Sequence, residues 1–256
     1  MERSFITAVR PPVSIRFPLS AVMALFLLAL TYAGEASAQT CSARPSTATV
    51  TVKTSQNTPV SREERTYNEL TRLFRKPGTH PAGLYVGAFT VAQQARYRWT
   101  SDGREICVSV EAVEVTVTLT DPKIYVGSEL ADDDCARESV WQHEVLHYRI
   151  DQDVLERFTP TIQRTVEFAV KQAGSHTAKR ESDVERVGER MARTIRQHLD
   201  RVSRDMQSER DRLHDRHDSR DEYARTGNVC SHGRLGNSKP ALCASEPRLC
   251  TNLEQP

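Results

Sequence analysis

Hydrophobic positions in this chain change period twice. From Tyr85 to Val126 they recur at every second residue, the signature of strands with one buried face. Val91 to Trp99 predicts one strand, and Ser101-Asp102-Gly103 supplies a hairpin turn. Ile106, Val108 and Val110 carry the next strand, which continues through Val113, Val115, Val117 and Leu119. The apolar positions switch from even to odd between Val110 and Val113, which predicts a bulge near Glu111-Ala112. A last short strand, Ile124 to Val126, ends at Gly127. Upstream, Val50 and Val52 alternate with polar residues and predict one strand inside the Ser/Thr/Pro-rich segment 39–60. Ser61 with Glu64 has the spacing of a capping box. It would open a short helix whose apolar face is Tyr67, Leu70, Leu73 and Phe74, stopped by Pro77-Gly78.

After Asp132 the period becomes helical. Asp132-Asp133-Asp134 offers caps and a favourable charge at a helix start. The expected helix runs to about Phe158, breaks at Thr159-Pro160, and resumes through Ile162, Val166 and Val170 to Gly174. A long charged helix follows. Its apolar residues Val184, Val187, Met191, Ile195, Leu199, Val202 and Met206 form one narrow stripe. The short breaks favour folding back as a hairpin, with dimerisation through the stripe as the alternative. The expected fold is α+β: a small antiparallel sheet (with the first helix, 61–127), then an active-site helix and a long helical hairpin (134–222).

Both ends read differently. Residues 1–38 combine Arg3, Arg10 and Arg16, an apolar run from Ala21 to Tyr32, and Ala36-Ser37-Ala38, the pattern of a secretory signal peptide cleaved after Ala38. The run is shorter than the roughly 20 residues of a membrane anchor. The expected compartment is therefore periplasmic or extracellular, with a folded domain over 39–225. The tail, 226–256, is rich in Gly, Pro and Ser and contains three of the six cysteines. An even cysteine count in an exported chain predicts disulfides. The expected pairs are Cys107 with Cys135, and Cys41 with one of Cys230, Cys243 and Cys250, leaving the other two together.

Charge narrows the function classes. The chain has 35 basic and 34 acidic residues, and its mean hydropathy is −0.55. No net field draws it to nucleic acid or an anionic membrane. The Arg-rich helix alternates Arg with Asp and Glu, as a solvated rod does. No nucleophile elbow and no phosphate-binding glycine loop occurs. His198 and His232 stand alone.

One motif carries chemistry: His143-Glu144-Val145-Leu146-His147. On a helix, positions four apart share a face, so both imidazoles can reach one ion at about 2 Å. The intervening glutamate then sits beside the metal, placed to take a proton from an activated water. The candidate residues are thus metal ligands His143 and His147, general base Glu144, and zinc as cofactor. Several residues can supply a third ligand. Asp153 lies six residues after His147, where one zincin class places its ligand, but Ile150 stands where that class has a glycine. Asp151 better suits a partner of the His147 ring. His176, Glu181 and Glu185 open the return segment. At 1.5 Å per residue, a helix reversing near Gly174 returns to the level of His143 after roughly 30 residues, just short of His214 and His217.

The chain resembles the predicted secreted zinc-dependent proteases of bacteria, over roughly Tyr67 to Tyr223. Three features carry the resemblance: Tyr67-Asn68-Glu69-Leu70 leading to Lys76-Pro77-Gly78; Arg96-Tyr97-Arg98-Trp99 followed by Cys107; and the His143–His147 motif opening a helical hairpin. The resemblance implies a zincin-like fold and an acidic residue, then a histidine, near the end of the return helix. Glu209 and His214 stand there, making His214 the expected third ligand; Asp215 follows it where the family has glycine. The implied function is a secreted zinc peptidase acting on a peptide or protein substrate. The alternatives are a zinc amidase acting on cell-wall bonds, or a non-catalytic exported interaction protein built on the helical hairpin.

Overall fold

A computed structural model describes residues 5–6, 41, 48–56, 60–74, 81–101, 105–231, 234–235, 240 and 242–250. The expected leader lies outside these apart from β1 (Phe5–Ile6), which pairs with Arg96 and Tyr97. The expected Asp102-Gly103 turn, the Pro77-Gly78 stop and His232 also fall outside them.

The sheet is organised around two long strands, β4 (Gly83–Ser101) and β5 (Ile106–Gly127), which pair antiparallel along their whole length. Val110 faces Tyr97 and Ala112 faces Arg96, so Glu111 is the extra residue of the bulge that the parity switch predicts. A second irregularity sets Gly87 against Asp121-Pro122, with Asp121 at φ 45°. The segment Ile124 to Val126 is therefore not a separate strand; β5 runs through this irregularity as one element.

The free edge of β5 takes three short strands end to end. β6 (Ser175–Ala178) pairs with 106–109, β2 (Thr49–Gln56) with 112–119, and β3 (Ser61–Arg65) with 123–127. β2 and β3 run parallel to β5, so the sheet is mixed and the expectation of an antiparallel sheet is corrected. Alternation reports which face a side chain takes, not strand direction, and a strand of 22 residues can seat consecutive segments on one edge. Ser61 to Arg65 is strand rather than helix start. The capping box sits five residues later: Glu69 N donates to Thr66 Oγ1 and Thr66 N to Glu69 Oε2, opening α1 (Tyr67–Phe74).

One sheet face packs on two long helices. α2 (Asp134–Ala173) starts with Asp133 accepting from Ala136 N. It continues unbroken past Pro160, where the sequence predicts a break. Proline removes one helical hydrogen bond. That loss is outweighed because Val154, Ile162, Val166 and Ala169 are all fully buried, and each large aliphatic side chain contributes about 1.5–3 kcal/mol. Gly174, at φ 59°, turns the chain into β6. α3 (Val184–His217) then returns along α2, and every apolar stripe residue from Val184 to Met206 is buried. The hairpin is intramolecular. α4 (Arg220–Asn228) follows, capped by Ser219 Oγ, which accepts from Glu222 N. A minimal β7–β8 ribbon (Cys230–Ser231, Arg234–Leu235), α5 (Leu242–Ser245) and a short helical turn (Pro247–Cys250) complete the described chain.

Disulfides join Cys135 to Cys230 and Cys243 to Cys250. The expected Cys107–Cys135 bond is corrected, and so is the expected bond from Cys41 to a C-terminal cysteine, since Cys230, Cys243 and Cys250 are all paired elsewhere. Cys107 lies at the β6 end of β5, whereas Cys135 is in the first turn of α2, beside the strand that follows α4. Two disulfides fit an oxidising compartment. Among the described residues, no helix is long and apolar enough to cross a membrane.

Candidate metal centre

Helical spacing places His143, Glu144 and His147 on the face of α2 that meets the end of α3. All three are buried. The rings of His143 and His147 meet edge to face, 5.1 Å between centroids. Their Nε2 atoms converge on one oxygen, Oδ1 of Asp218, at 3.2 and 3.0 Å. The edge of a tetrahedron around a metal with ligands at about 2.0 Å is about 3.3 Å. Each of the two imidazole nitrogens thus stands at near ligand-to-ligand spacing from the Asp218 oxygen.

The break between α3 and α4 delivers the partners. Asp218 caps α3, its N–H donating to His214 O at 2.8 Å. His217, fully buried, stacks on His143 at 4.1 Å and donates Nε2–H to the His143 carbonyl at 3.0 Å. That bond leaves Nδ1 of His217 as a buried acceptor with no hydrogen-bond partner among the described residues. One ligand nitrogen from each of His143, His147 and His217 lies within 4.8 Å of the other two, so this buried group can hold a metal ion. From α4, Glu222 Oε1 stands 3.9 Å from His143 Nδ1 and is itself paired with Arg225. Tyr223 lies 5.7 Å from the His143 ring, with its hydroxyl bonded to Asp218. The Cys135–Cys230 bond and the Ser139 Oγ to Thr226 O hydrogen bond hold α4 against the start of α2.

His214 stands on the far edge of His147. Its Nδ1 is 2.8 Å from His147 Nδ1, and its Nε2 is 2.8 Å from Asp151 Oδ1. Asp151 is fully buried and also accepts from the Tyr85 hydroxyl and from two nitrogens of Arg210. Burial opposes its charge, but the His214 and Arg210 hydrogen bonds outweigh this and hold it below the usual carboxylate range. A carboxylate only accepts, so His214 donates Nε2–H to it. By the same rule His147 donates Nε2–H to Asp218 Oδ1, and one hydrogen lies between the two facing Nδ1 atoms. A metal at His147 Nε2 would replace the Nε2 hydrogen, and the chain Asp151–His214–His147 would then keep a hydrogen on Nδ1 and orient the ring.

Electrostatics separate the buried groups. Burial drives His147 down to about 4, against the pull of Asp218. Burial also opposes charge on His143, yet the carboxylates of Asp218, Glu222 and Glu144 raise it to about 9. Burial raises Glu144 to about 7; His143 lowers it, the Asp218 charge raises it, and the Tyr85 backbone N–H lowers it. Asp218 is partly desolvated, but its bonds to His143 and His147 hold it far below the normal range. Tyr223 is raised, first by burial and then by the charges of Asp218 and Glu144, so its hydroxyl stays a donor.

These groups open on a cavity of about 830 Å³, lined by His143, Glu144, His147, His214, Asp218 and Tyr223 on one side and by Phe74, Leu84, Leu130 and Val140 on the other. The start of β4 forms one wall. A Cβ on Gly83 would meet Val140 Cγ1 at 2.5 Å and Glu144 Oε1 at 2.9 Å, so only glycine lets the strand lie this close to the helix.

Of the residues considered in sequence, the structure brings together His143, Glu144, His147, Asp151, His214 and His217. Asp153 instead pairs with Arg157 and Arg248. His176 sits on β6 at the opposite end of β5, and Glu181 and Glu185 begin the far end of the hairpin. Asp218, Glu222 and Tyr223 were not foreseen. Ser219 is the local signal that places them, because a capping serine after His217-Asp218 marks the corner where α4 starts. Among known proteins, no family model, no curated protein and no solved structure matches the chain.

Proposed function

We propose that the protein is a zinc-dependent peptidase with a zincin-like arrangement, whose metal is held by His143, His147 and Asp218. The observation that carries this reading is the convergence of two imidazole Nε2 atoms on Asp218 Oδ1 beside buried Glu144. Asp218 is preferred to His217 as third ligand for two reasons. The His217 ring lies 24° from parallel to His143, so the two ring planes have no natural common point for an ion. His217 also does not line the cavity, whereas Asp218 does. His214 is a positioning residue in this scheme, since both its nitrogens are engaged away from the Nε2 edge of His147.

Zinc, when bound, supplies polarisation of the scissile carbonyl and acidification of a water. Glu144 removes the proton of the attacking water at its carboxylate and returns it to the leaving amine, and a pKa near neutrality suits both transfers. Tyr223 supplies an O–H donor at the cavity wall for the developing oxyanion. From Gly83 to Ala95, the β4 edge opposite β5 carries no strand among the described residues, which suits an extended peptide laid along it. Apolar Phe74, Leu84, Leu130 and Val140 favour hydrophobic side chains next to the scissile bond.

The test is hydrolysis of unstructured peptides by the zinc-loaded chain, read by mass spectrometry. Turnover is expected to vanish with chelator and to fall by about 10²–10⁴ in Glu144→Gln at unchanged zinc content. Zinc binding at this site with no cleavage of any peptide in a broad library would overturn the reading.

A further inference from the structure

Six cysteines are present, and four are consumed by the two disulfides. The remaining two are neighbours. Cys107 on β5 stands opposite Thr177 of β6, and Cys41 Sγ lies 3.2 Å from Thr177 Oγ1. The two thiols also hydrogen-bond each other. We propose that Cys41 and Cys107 form a third disulfide, tying the chain just beyond the expected leader cleavage point to the β5–β6 end of the sheet.

Residues so far apart in sequence meet at this point, and among the described residues no metal-ligand group surrounds them, which argues for a structural cross-link rather than a redox or metal site. Burial first, then Cys41, pushes the Cys107 thiol up to about 12, so it does not serve as a free nucleophile at neutral pH. Closure forms the Cys41 Sγ–Cys107 Sγ bond and releases two protons and two electrons. They pass to an oxidising disulfide, glutathione disulfide or a thiol–disulfide oxidoreductase, whose S–S bond breaks to two thiols. The covalent loop then encloses β2, β3, α1 and β4. The parallel strands on the edge of β5, reached by long connections, are thereby held at their N-terminal approach. The assignment is independent of the metal centre.

The mature chain, folded in a glutathione redox buffer, is denatured without reductant, alkylated and mapped by peptide mass spectrometry. The expected result is no alkylated cysteine and one cross-linked peptide joining Cys41 to Cys107. Cys41→Ser is expected to expose a single alkylated thiol, at Cys107, with the other two bonds intact. Alkylation of both Cys41 and Cys107 in the wild-type chain while the other four cysteines are closed would overturn the proposal, as would Cys41 joined to any other cysteine. The wild-type map decides the matter even if the variant does not fold.

Discussion

Burial of Glu144 has a thermodynamic signature that does not depend on any activity. In the metal-free protein its pKa of about 7 stands above the ordinary 4.5 because burial disfavours the charged carboxylate. The folded state therefore holds a proton that the unfolded chain has released between these two values. Stability falls as pH rises through this window and levels above pH 7. The lost stability is under about 1 kcal/mol at pH 5 and about 3 kcal/mol at pH 8. Glu144→Gln removes the titration and keeps a side-chain oxygen to accept the Tyr85 N–H. Relative to wild type, the variant should gain about 2–3 kcal/mol of stability between pH 5 and pH 8. Urea denaturation of both proteins in chelator at the two pH values reads this directly. An equal stability difference at pH 5 and pH 8 would refute the argument, because it would mean that Glu144 is not held in a desolvated site.

Asp151→Asn leaves Arg210 buried against an amide and should cost about 3–5 kcal/mol in denaturant titration. Zinc affinity should fall with it, because His214 no longer fixes the His147 ring, and calorimetry checks this. Gly83→Ala places a methyl group against Val140 and Glu144; a destabilisation of about 1–3 kcal/mol is expected, with a reduced kcat on any cleaved peptide. Cys230→Ser opens the tie between α4 and α2 and should lower stability by about 2–4 kcal/mol, seen as a Tm drop of about 5–15 °C by circular dichroism.

Legibility in the sequence followed the physics of each signal. The period-two valines located β5 and its bulge at Glu111, because side-chain parity survives any arrangement of neighbouring strands. The stripe from Val184 to Met206 located the hairpin, because its apolar residues have only α2 and the sheet to bury against. Strand direction was not legible, since Val50 and Val52 alternate identically in parallel and antiparallel pairs. Pro160 misled for the opposite reason: a local breaker is overridden when the residues on both sides share one buried face. At the site, the spacing of His143, Glu144 and His147 is a property of one helix and reads directly. The partners come from a corner between α3 and α4, where the angle of the return is set by tertiary packing and by the Cys135–Cys230 bond. Counting helical rise brought His214 and His217 to the right level but did not choose between them, and Asp218 lay one residue beyond the candidates considered.

X-ray absorption at the zinc edge of the metal-loaded chain counts the imidazoles and oxygens around the ion, and so reads the proposed ligand set itself. One zinc per chain is expected, with two imidazole ligands completed by oxygen, and a spectrum that loses imidazole in His147→Ala and keeps both imidazoles in His217→Ala and His214→Ala. An unchanged spectrum in His147→Ala, or zinc surrounded by three imidazoles, would contradict it.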